Sequence, residues 1–433
     1  MRYSFNNVPS LRGTISVPGD KSISHRCILL GSLSKGITSV KGFLDSADCR
    51  STISCMKKMG ISIEQNESNV NIKGHGLRGL SAPTETLYTG NSGTTTRIMS
   101  GILCGQRFSC RVTGDESIEK RPMKRVIDPL SLMGASIRSE KDNGCAPLLI
   151  EGSDITGKSL HGINYTSPVA SAQVKSAVLF AGMYADSPTT VTEPALSRDH
   201  TERMAAAFGA TIKRDGLSVT IEPSPLLLAT DVEVPGDISS AAYFIAAALI
   251  HKNAELYIKN VNINPTRAGI LEVVKLMGGN IHYENKRICS GEEVCDLLIK
   301  SSDLHGCEIS GAMIPTLIDE IPVIAVMAAA ASGTTTIKDA SELRVKESDR
   351  IASVCENLSA LGADITPTED GMIINGGQPL SGVRIHTYKD HRIAMSMAVA
   401  SLLTGDEVTF DDPSCVDISY PTFFKTLNSV CEQ

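Results

Sequence analysis

The sequence predicts an α/β protein of two domains, turned inside out, with helices at the centre of each domain and strands around them. Three observations lead there: one module occurs six times, the chain divides into two similar halves, and its most apolar stretches lack an outward polar face. Those stretches are CILLGSL (27–33), RIMSGILC (97–104), SAVLFAGMYA (176–185), AAYFIAAALI (241–250), IPVIAVMAAAA (321–331) and RIAMSMAVASLL (392–403). Equivalent turns begin at 31, 101, 182, 247, 328 and 400, a period of 65 to 81 residues, and a period of that kind governs the fold assignment. At 7 to 12 residues the runs are too short for a bilayer, which needs about 20. Helices apolar on most faces belong in a core. Their Ala, Gly and Ser residues allow close packing, which leaves the strands outside.

Each apolar run is followed by a small turn, a β-like run, a polar loop and an amphipathic helix. That second helix ends on a shared phrase: KKMGISI (57–63), SLMGASI (131–137), AAFGATI (206–212), KLMGGNI (275–281) and SALGADI (359–365). The Gly stops the helix and the next residues start a strand. The sixth copy is cut short by the end of the chain. VPGDKSISHRCILLGSL (17–33) resembles VPGDISSAAYFIAAAL (234–249), so each half holds three units and opens on Pro-Gly-Asp. The expected domains are 19–235, and 1–18 plus 236–433, with two connections at one point and a hinge there.

Composition narrows the function. A chain of 433 residues is too long for one ordinary core. The net charge is −7, no basic run stands out, aromatics make up 4% and Trp is absent; nucleic-acid binding is therefore not expected. The start, MRYSFNNVPS, has no apolar core of signal-peptide type, so a cytoplasmic protein with no membrane association is expected. The twelve Cys include no C-x-x-C and the nine His no H-x-x-x-H. Buried thiols in a reducing compartment are expected, with no metal and no cofactor.

The polar residues collect where the apolar helices begin: DKSISHR (20–26), NSGTTTR (91–97), SAQVK (171–175), GDISS (236–240), LIDE (317–320) and YKDHR (388–392). Helix starts with free N–H groups, hydroxyls, Lys and Arg are ready anion sites. Six on one chain suit a small, multiply charged substrate. Ser22 and Arg26 are i,i+4 neighbours with Lys21 at the mouth. Gly93, among hydroxyls, lets backbone approach a ligand closely. Arg121 precedes a Pro in a loop expected to be mobile. In LRVKESDR (343–350) we read Lys346 and Arg350 as one helical turn apart, with Glu347 three before Arg350. A carboxylate among such cations can transfer protons beside an anionic substrate. Asp319-Glu320 and Ser197-Arg198-Asp199-His200 are further candidates. Each cluster alone could be a capped helix start with solvated charges; together they supply the groups to grip phosphates and a carboxylate.

In order and spacing, PGDKSISHR (18–26), GNSGTTTR (90–97), KRPM (120–123), SAQVKSA (171–177), SRDHTE (197–202), IDEIP (318–322), RVKESDR (344–350) and KDHRIAM (389–395) resemble the 5-enolpyruvylshikimate-3-phosphate synthase family over essentially the whole chain. The resemblance implies two domains of three βαβαββ units with buried parallel helices, and an active site in the cleft between the domains. It implies shikimate-3-phosphate held by Lys21, Ser22, Arg26, Ser171, Ala172, Arg198, Asp319 and Lys346. Phosphoenolpyruvate is expected at Lys21, Asn91, Gly93, Thr94, Arg121, Gln173, Lys346, Arg350 and Arg392. Lys21, Asp319, Lys346 and Glu347 are the implied catalytic residues. Glu347 would protonate the methylene of phosphoenolpyruvate and later take a proton back, while Asp319 and Lys346 assist the attacking 5-hydroxyl. A monomer is expected.

The chain departs from the family in two ways. Some members carry a Lys two before an aromatic-Pro pair near the C-terminus; here the segment is Asp417-Ile418-Ser419-Tyr420-Pro421. The S-A-Q and S-R-D-H phrases resemble the branch called class II, whose glyphosate-tolerant members can carry Ala where this chain has Gly93; sensitivity to glyphosate is therefore expected. Two other readings compete. An enolpyruvyl transferase acting on UDP-N-acetylglucosamine is expected to carry a Cys in the loop matching GDESIEKRP (114–122), which has none. A non-catalytic phosphometabolite-binding protein would not need Glu347, Asp319 and Lys346 together.

Overall fold

A computed structural model describes residues 2–3 and 8–432. Met1 and residues 4–7, part of the segment assigned above to the second half, lie outside the described residues. Among the described residues twelve helices of eight residues or more run in chain order: α1 (Lys21–Leu33), α2 (Ala47–Lys58), α3 (Gly93–Cys104), α4 (Lys124–Leu132), α5 (Ala172–Gly182), α6 (His200–Ala207), α7 (Ile238–Ile250), α8 (Gly269–Leu276), α9 (Ile321–Ala330), α10 (Arg350–Leu361), α11 (His391–Ala400) and α12 (Phe423–Val430). The odd-numbered helices carry the six apolar runs, three of which continue one to three residues past the helix end. They are buried along nearly their whole length. Small residues let them approach: a Cβ on Gly101 of α3 would lie 2.0 Å from the carbonyl oxygen of Ala177 on α5. The even-numbered helices alternate with them, and five end on the shared phrase. Gly60, Gly134, Gly209, Gly278 and Gly362 follow these helices with φ between +78° and +105°, the left-handed region where glycine relieves the clash that L side chains meet.

The chain forms two compact units, one of Gly19–Val234 with Cys289–Gly291, the other of the stretch up to Pro18 with Pro235–Ile288 and the residues from Glu292 onward. Each unit has its own apolar core. In the first unit three four-stranded sheets share one order. They are Val232–Glu233, Lys35–Lys41, Asn69–His75 and Ser62–Asn66; then Leu87–Tyr88, Cys110–Thr113, Leu148–Glu151 and Ser136–Ser139; then Asn164–Thr166, Thr189–Thr192, Ser218–Ile221 and Ile212–Asp215. In each, the first strand is parallel to the second, and the next two pair antiparallel. In the second and third of these a buried helix follows the first strand and an amphipathic helix the second, which makes a βαβαββ unit; in the first, the strand beside Lys35–Lys41 is supplied by Val232–Glu233 from the far end of the same stretch of chain.

The second unit repeats the plan. Its sheet Glu308–Ile309, Thr334–Ile337, Met372–Asn375, Asp364–Pro367 is of the same kind. A five-stranded sheet places Ser10–Ser16 between Ala254–Asn262, to which it is parallel, and Cys431–Glu432. The remaining sheet joins Arg384–Ile385, Val408–Phe410 and Arg2–Tyr3. The sheets keep one face outward, as in Asn69–His75, where Val70, Ile72 and Gly74 are buried and their neighbours exposed. Helices inside and strands outside define the inside-out α/β architecture.

Among the described residues no single helix is long and apolar enough to cross a membrane. Gly311–Leu317 and Ile321–Ala330 reach that length only as a pair bent by 110°, and α9 is a core helix.

Candidate active site

In the first unit most of the candidate residues lie at the starts of the buried helices, while Arg121 and Arg198 lie in loops. Asp20 caps α1, accepting from the Ile23 N–H at 2.9 Å. That leaves Lys21 and Ser22 half-exposed at the helix mouth while the rest of α1 is buried. Lys21 Nζ is 3.0 Å from Asp48 Oδ2, in the first turn of α2. Arg26 lies one turn deeper and is 2% exposed. It donates to the Ser22 carbonyl at 2.9 Å, to Thr201 Oγ1 at 2.6 Å and to Ser176 Oγ at 2.8 Å.

At the start of α3, Ser92 caps the helix through the Thr95 N–H at 3.1 Å, and Gly93 and Thr94 follow. The loop holding Arg121 is tightly bonded. A 3-10 turn spans Ile118–Lys120, and buried Arg121 donates to Asn91 Oδ1 at 2.9 Å and Ser117 Oγ at 3.2 Å. Asn91 in turn donates to Asp115 Oδ2 at 2.9 Å. At the start of α5, Ser171 is the cap and Ala172 the first helical residue. Gln173 accepts from Arg97 Nη1 at 2.6 Å and donates to Thr94 Oγ1 at 3.1 Å. Half-exposed Arg198 directly precedes Asp199, the first flanking residue of α6.

In the second unit three candidates meet around the carboxylate of a fourth, Asp319, and a fifth, Glu347, joins them through Arg350. Asp319 lies before α9; its Oδ1 is 3.4 Å from Lys346 Nζ and 3.2 Å from Arg350 Nη1, and its Oδ2 is 3.7 Å from Arg392 Nη2. Arg392 also donates to the Asp319 carbonyl at 3.1 Å. Arg350 Nη2 donates to Glu347 Oε2 at 2.6 Å, and its Nε to Asp390 Oδ2 at 2.8 Å. Burial opposes charge on Arg350, but Asp390, Glu347 and Asp319 outweigh it and its pKa rises above the ordinary value. Arg392, likewise buried, is raised by Asp319, Glu320 and other carboxylates. Burial pushes the Asp390 carboxyl up, yet Arg350 beside it keeps its pKa below the usual value. The cluster is a preorganised field of fixed charge, with Glu347 and Lys346 at its half-exposed edge.

One local expectation fails. Lys346 and Arg350 do not share a helix. Ser341–Val345 is a 3-10 turn and Lys346 is extended. Asp349 caps α10 by accepting from the Ala352 N–H at 3.1 Å, so the helix begins at Arg350 and residues 346–349 form the turn before it. The sequence reading also passed over groups that hold the candidates in place. Asp48 pairs with Lys21, Asp390 with Arg350, and Arg97 with Gln173. The signal for the last two was present, since both lie inside quoted phrases at buried-helix starts. Asp48 carried none, because it faces Lys21 only through the packing of α2 on α1.

The fold, with its Lys, Arg and hydroxyl groups gathered near helix starts, has counterparts among solved structures. The enolpyruvyl transferase NikO from Streptomyces tendae shares the fold with a TM-score of 0.78, covering 99% of this chain and 96% of its own at 15% identity. More specific likenesses follow. The model of the family described as EPSP synthase (3-phosphoshikimate 1-carboxyvinyltransferase) matches residues 6–427. A 3-phosphoshikimate 1-carboxyvinyltransferase of Brevibacillus brevis is 53% identical over 98% of each chain, and one of Oceanobacillus iheyensis 52% over 97% of each. The EPSP synthase of Acinetobacter baumannii superposes with a TM-score of 0.86 at 44% identity, covering 97% of this chain and 96% of that one. The chain belongs to the EPSP synthase family.

Proposed function

We propose that this protein transfers the enolpyruvyl group of phosphoenolpyruvate to the 5-hydroxyl of shikimate-3-phosphate and releases phosphate, a step of aromatic amino-acid biosynthesis. The observation that carries the reading is the second-unit cluster: Lys346, Arg350 and Arg392 converge on Asp319 while Glu347 sits 2.6 Å from Arg350. Family membership supplies the substrates. Lys21, Ser22, Arg26, Ser171, Ala172, Arg198, Asp319 and Lys346 hold shikimate-3-phosphate. Lys21, Asn91, Gly93, Thr94, Arg121, Gln173, Lys346, Arg350 and Arg392 hold phosphoenolpyruvate. The set is divided between the two units, so catalysis needs both.

The reaction is an addition followed by an elimination. The Glu347 carboxyl gives its proton to the methylene carbon of phosphoenolpyruvate. The 5-oxygen of shikimate-3-phosphate bonds to the adjacent carbon as its proton passes to Asp319, with Lys346 assisting, and that proton leaves with the phosphate. The carboxylates of Asp319 and Glu347 face the positive charge that develops on the oxocarbenium-like species, and the cations hold the phosphate and carboxylate groups of the substrates in place. Glu347 then removes a proton from the new methyl group as the C–O bond to phosphate breaks, restoring the double bond. The protein acts as a monomer in the cytoplasm.

Mixing the pure protein with phosphoenolpyruvate, with and without shikimate-3-phosphate, tests this by phosphate release. Release only with both is expected; release with UDP-N-acetylglucosamine instead would overturn the assignment. Glu347→Gln removes the transferable proton and should lower kcat by about 10²–10⁴-fold with shikimate-3-phosphate binding retained. Unchanged turnover would remove Glu347 from the mechanism.

A further inference from the structure

The first unit buries a charge cluster that the reaction does not use. Lys175, in the apolar helix α5, is 1% exposed. Its Nζ is 2.8 Å from Glu193 Oε2 and 2.8 Å from Glu202 Oε1, and both carboxylates are 3% exposed. Stability alone does not account for it. Two carboxylates share one ammonium, and Oε2 of Glu202 accepts no hydrogen bond from any described residue. Buried ion pairs of this kind often contribute less than an apolar replacement of the same volume. What the cluster does hold is Ser197. Lys175 Nζ donates to the Ser197 carbonyl at 3.3 Å, Ser197 Oγ donates to Glu193 Oε1 at 2.6 Å, and the Ser197 N–H to Glu193 Oε2 at 3.4 Å. Every polar group of Ser197 is thereby engaged, and the next residue is Arg198.

The same seam between α5 and α6 holds a second arginine. Ser176 follows Lys175 and Thr201 precedes Glu202. Their hydroxyls are 2.7 Å apart, and both accept from the Arg26 guanidinium. We propose that Lys175, Glu193 and Glu202 are positioning residues that fix Arg198, and with it the Arg26 seam, at the spacing that recognises the phosphorylated acceptor. This rests on the function proposed above. A dianionic phosphate needs its cations held before it arrives, because mobile Lys and Arg side chains lose entropy on binding. Hydrogen bonds to all three polar groups of Ser197 remove that freedom from the backbone at Arg198.

The test uses the full-length protein and two variants. Lys175→Met/Glu193→Met/Glu202→Met removes the cluster and leaves no lone buried charge. Ser197→Ala leaves every charge paired and keeps the test alive should the first variant fail to fold. The triple variant is expected to raise the KM for shikimate-3-phosphate about tenfold, since misplacement on the order of 1 Å can cost that or more. Ser197→Ala should raise it about threefold, the effect of one hydrogen bond. The KM for phosphoenolpyruvate should stay unchanged in both. Hydrogen exchange over residues 193–202 should quicken in each variant, a readout independent of activity. Altered thermal stability with unchanged shikimate-3-phosphate affinity and unchanged exchange would overturn the proposal and leave the cluster purely structural. A wild-type protein that does not bind shikimate-3-phosphate would overturn the function reading instead, with the exchange measurement still deciding whether the cluster fixes Arg198.

Discussion

A Cβ on Gly93 would stand 3.1 Å from Arg121 Nη1 and 3.5 Å from Arg97 Nη1. The guanidinium of Arg121 must therefore give by a few tenths of an ångström, and its bonds to Asn91 and Ser117 resist that. Gly93→Ala should raise the KM for phosphoenolpyruvate a few-fold and weaken inhibition by glyphosate further; equal inhibition of both forms would sink the idea. His25 makes a second prediction. Burial, then Lys21 and Arg26, lower its pKa well below 6.5, and neutral His25 shares a 2.7 Å hydrogen bond with Thr52 Oγ1. The unfolded chain takes up a proton near 6.5 that the folded protein refuses. Stability is thus fully present above that pH and falls below it, toward the folded pKa, by about 1.4 kcal/mol per pH unit. Between pH 7.5 and 5.5, urea unfolding of wild type should lose about 1.4 kcal/mol more than that of His25→Gln. Equal losses would place the titration elsewhere. Gly93 stood out in the sequence as a glycine among hydroxyls at the opening of a buried helix, and Arg121 as an arginine before a proline in a loop. His25 lay in a quoted phrase, but its burial against Thr52 is set by packing.

Among elements, the helix-ending phrase was legible because its cause is local. A left-handed C-terminal residue needs glycine whatever surrounds it. Gly362 follows α10 with φ +105°, and an added Cβ would lie 3.1 Å from the Pro379 carbonyl oxygen. Gly362→Ala should therefore cost about 1 kcal/mol or more. Gly405 has nothing within 4 Å of a built Cβ, so Gly405→Ala should be neutral or slightly stabilising. Urea midpoints of the two variants decide this; matching losses would mean that left-handed geometry at Gly362 does not set the cost. The start of α10 was misread because five charges in seven residues drew attention to side-chain spacing. The cap signal, Asp349 just before Ile351, was the better guide. The cap does more than start a helix: it releases residues 346–349 from helical geometry, so Lys346 reaches Asp319 while Glu347 reaches Arg350.

Across the whole molecule, the two Pro-Gly-Asp phrases mark where the chain changes unit. Ser10–Ser16 precedes the first phrase yet pairs with Ala254–Asn262, beyond the second; Val232–Glu233 precedes the second yet pairs with Lys35–Lys41. The repeated phrase made this exchange readable, whereas the strand order within each sheet was not, because short strands with one exposed face look alike in sequence. The exchange makes a terminal segment structural. Ser10–Ser16 is an inner strand of the five-stranded sheet, paired on both edges, and its Leu11 and Ile15 are buried. Burying such side chains contributes about 1.5–3 kcal/mol each, and a domain is stable by only about 5–15 kcal/mol in all. Losing both side chains and the ladder on each edge removes much of that margin. Deleting residues 1–16 should therefore abolish hydrogen-exchange protection in α7, α9 and α11, leave it in α1, α3 and α5, and end phosphate release. A shortened chain that kept protection in both sets of helices would show that the sheet closes without its inner strand.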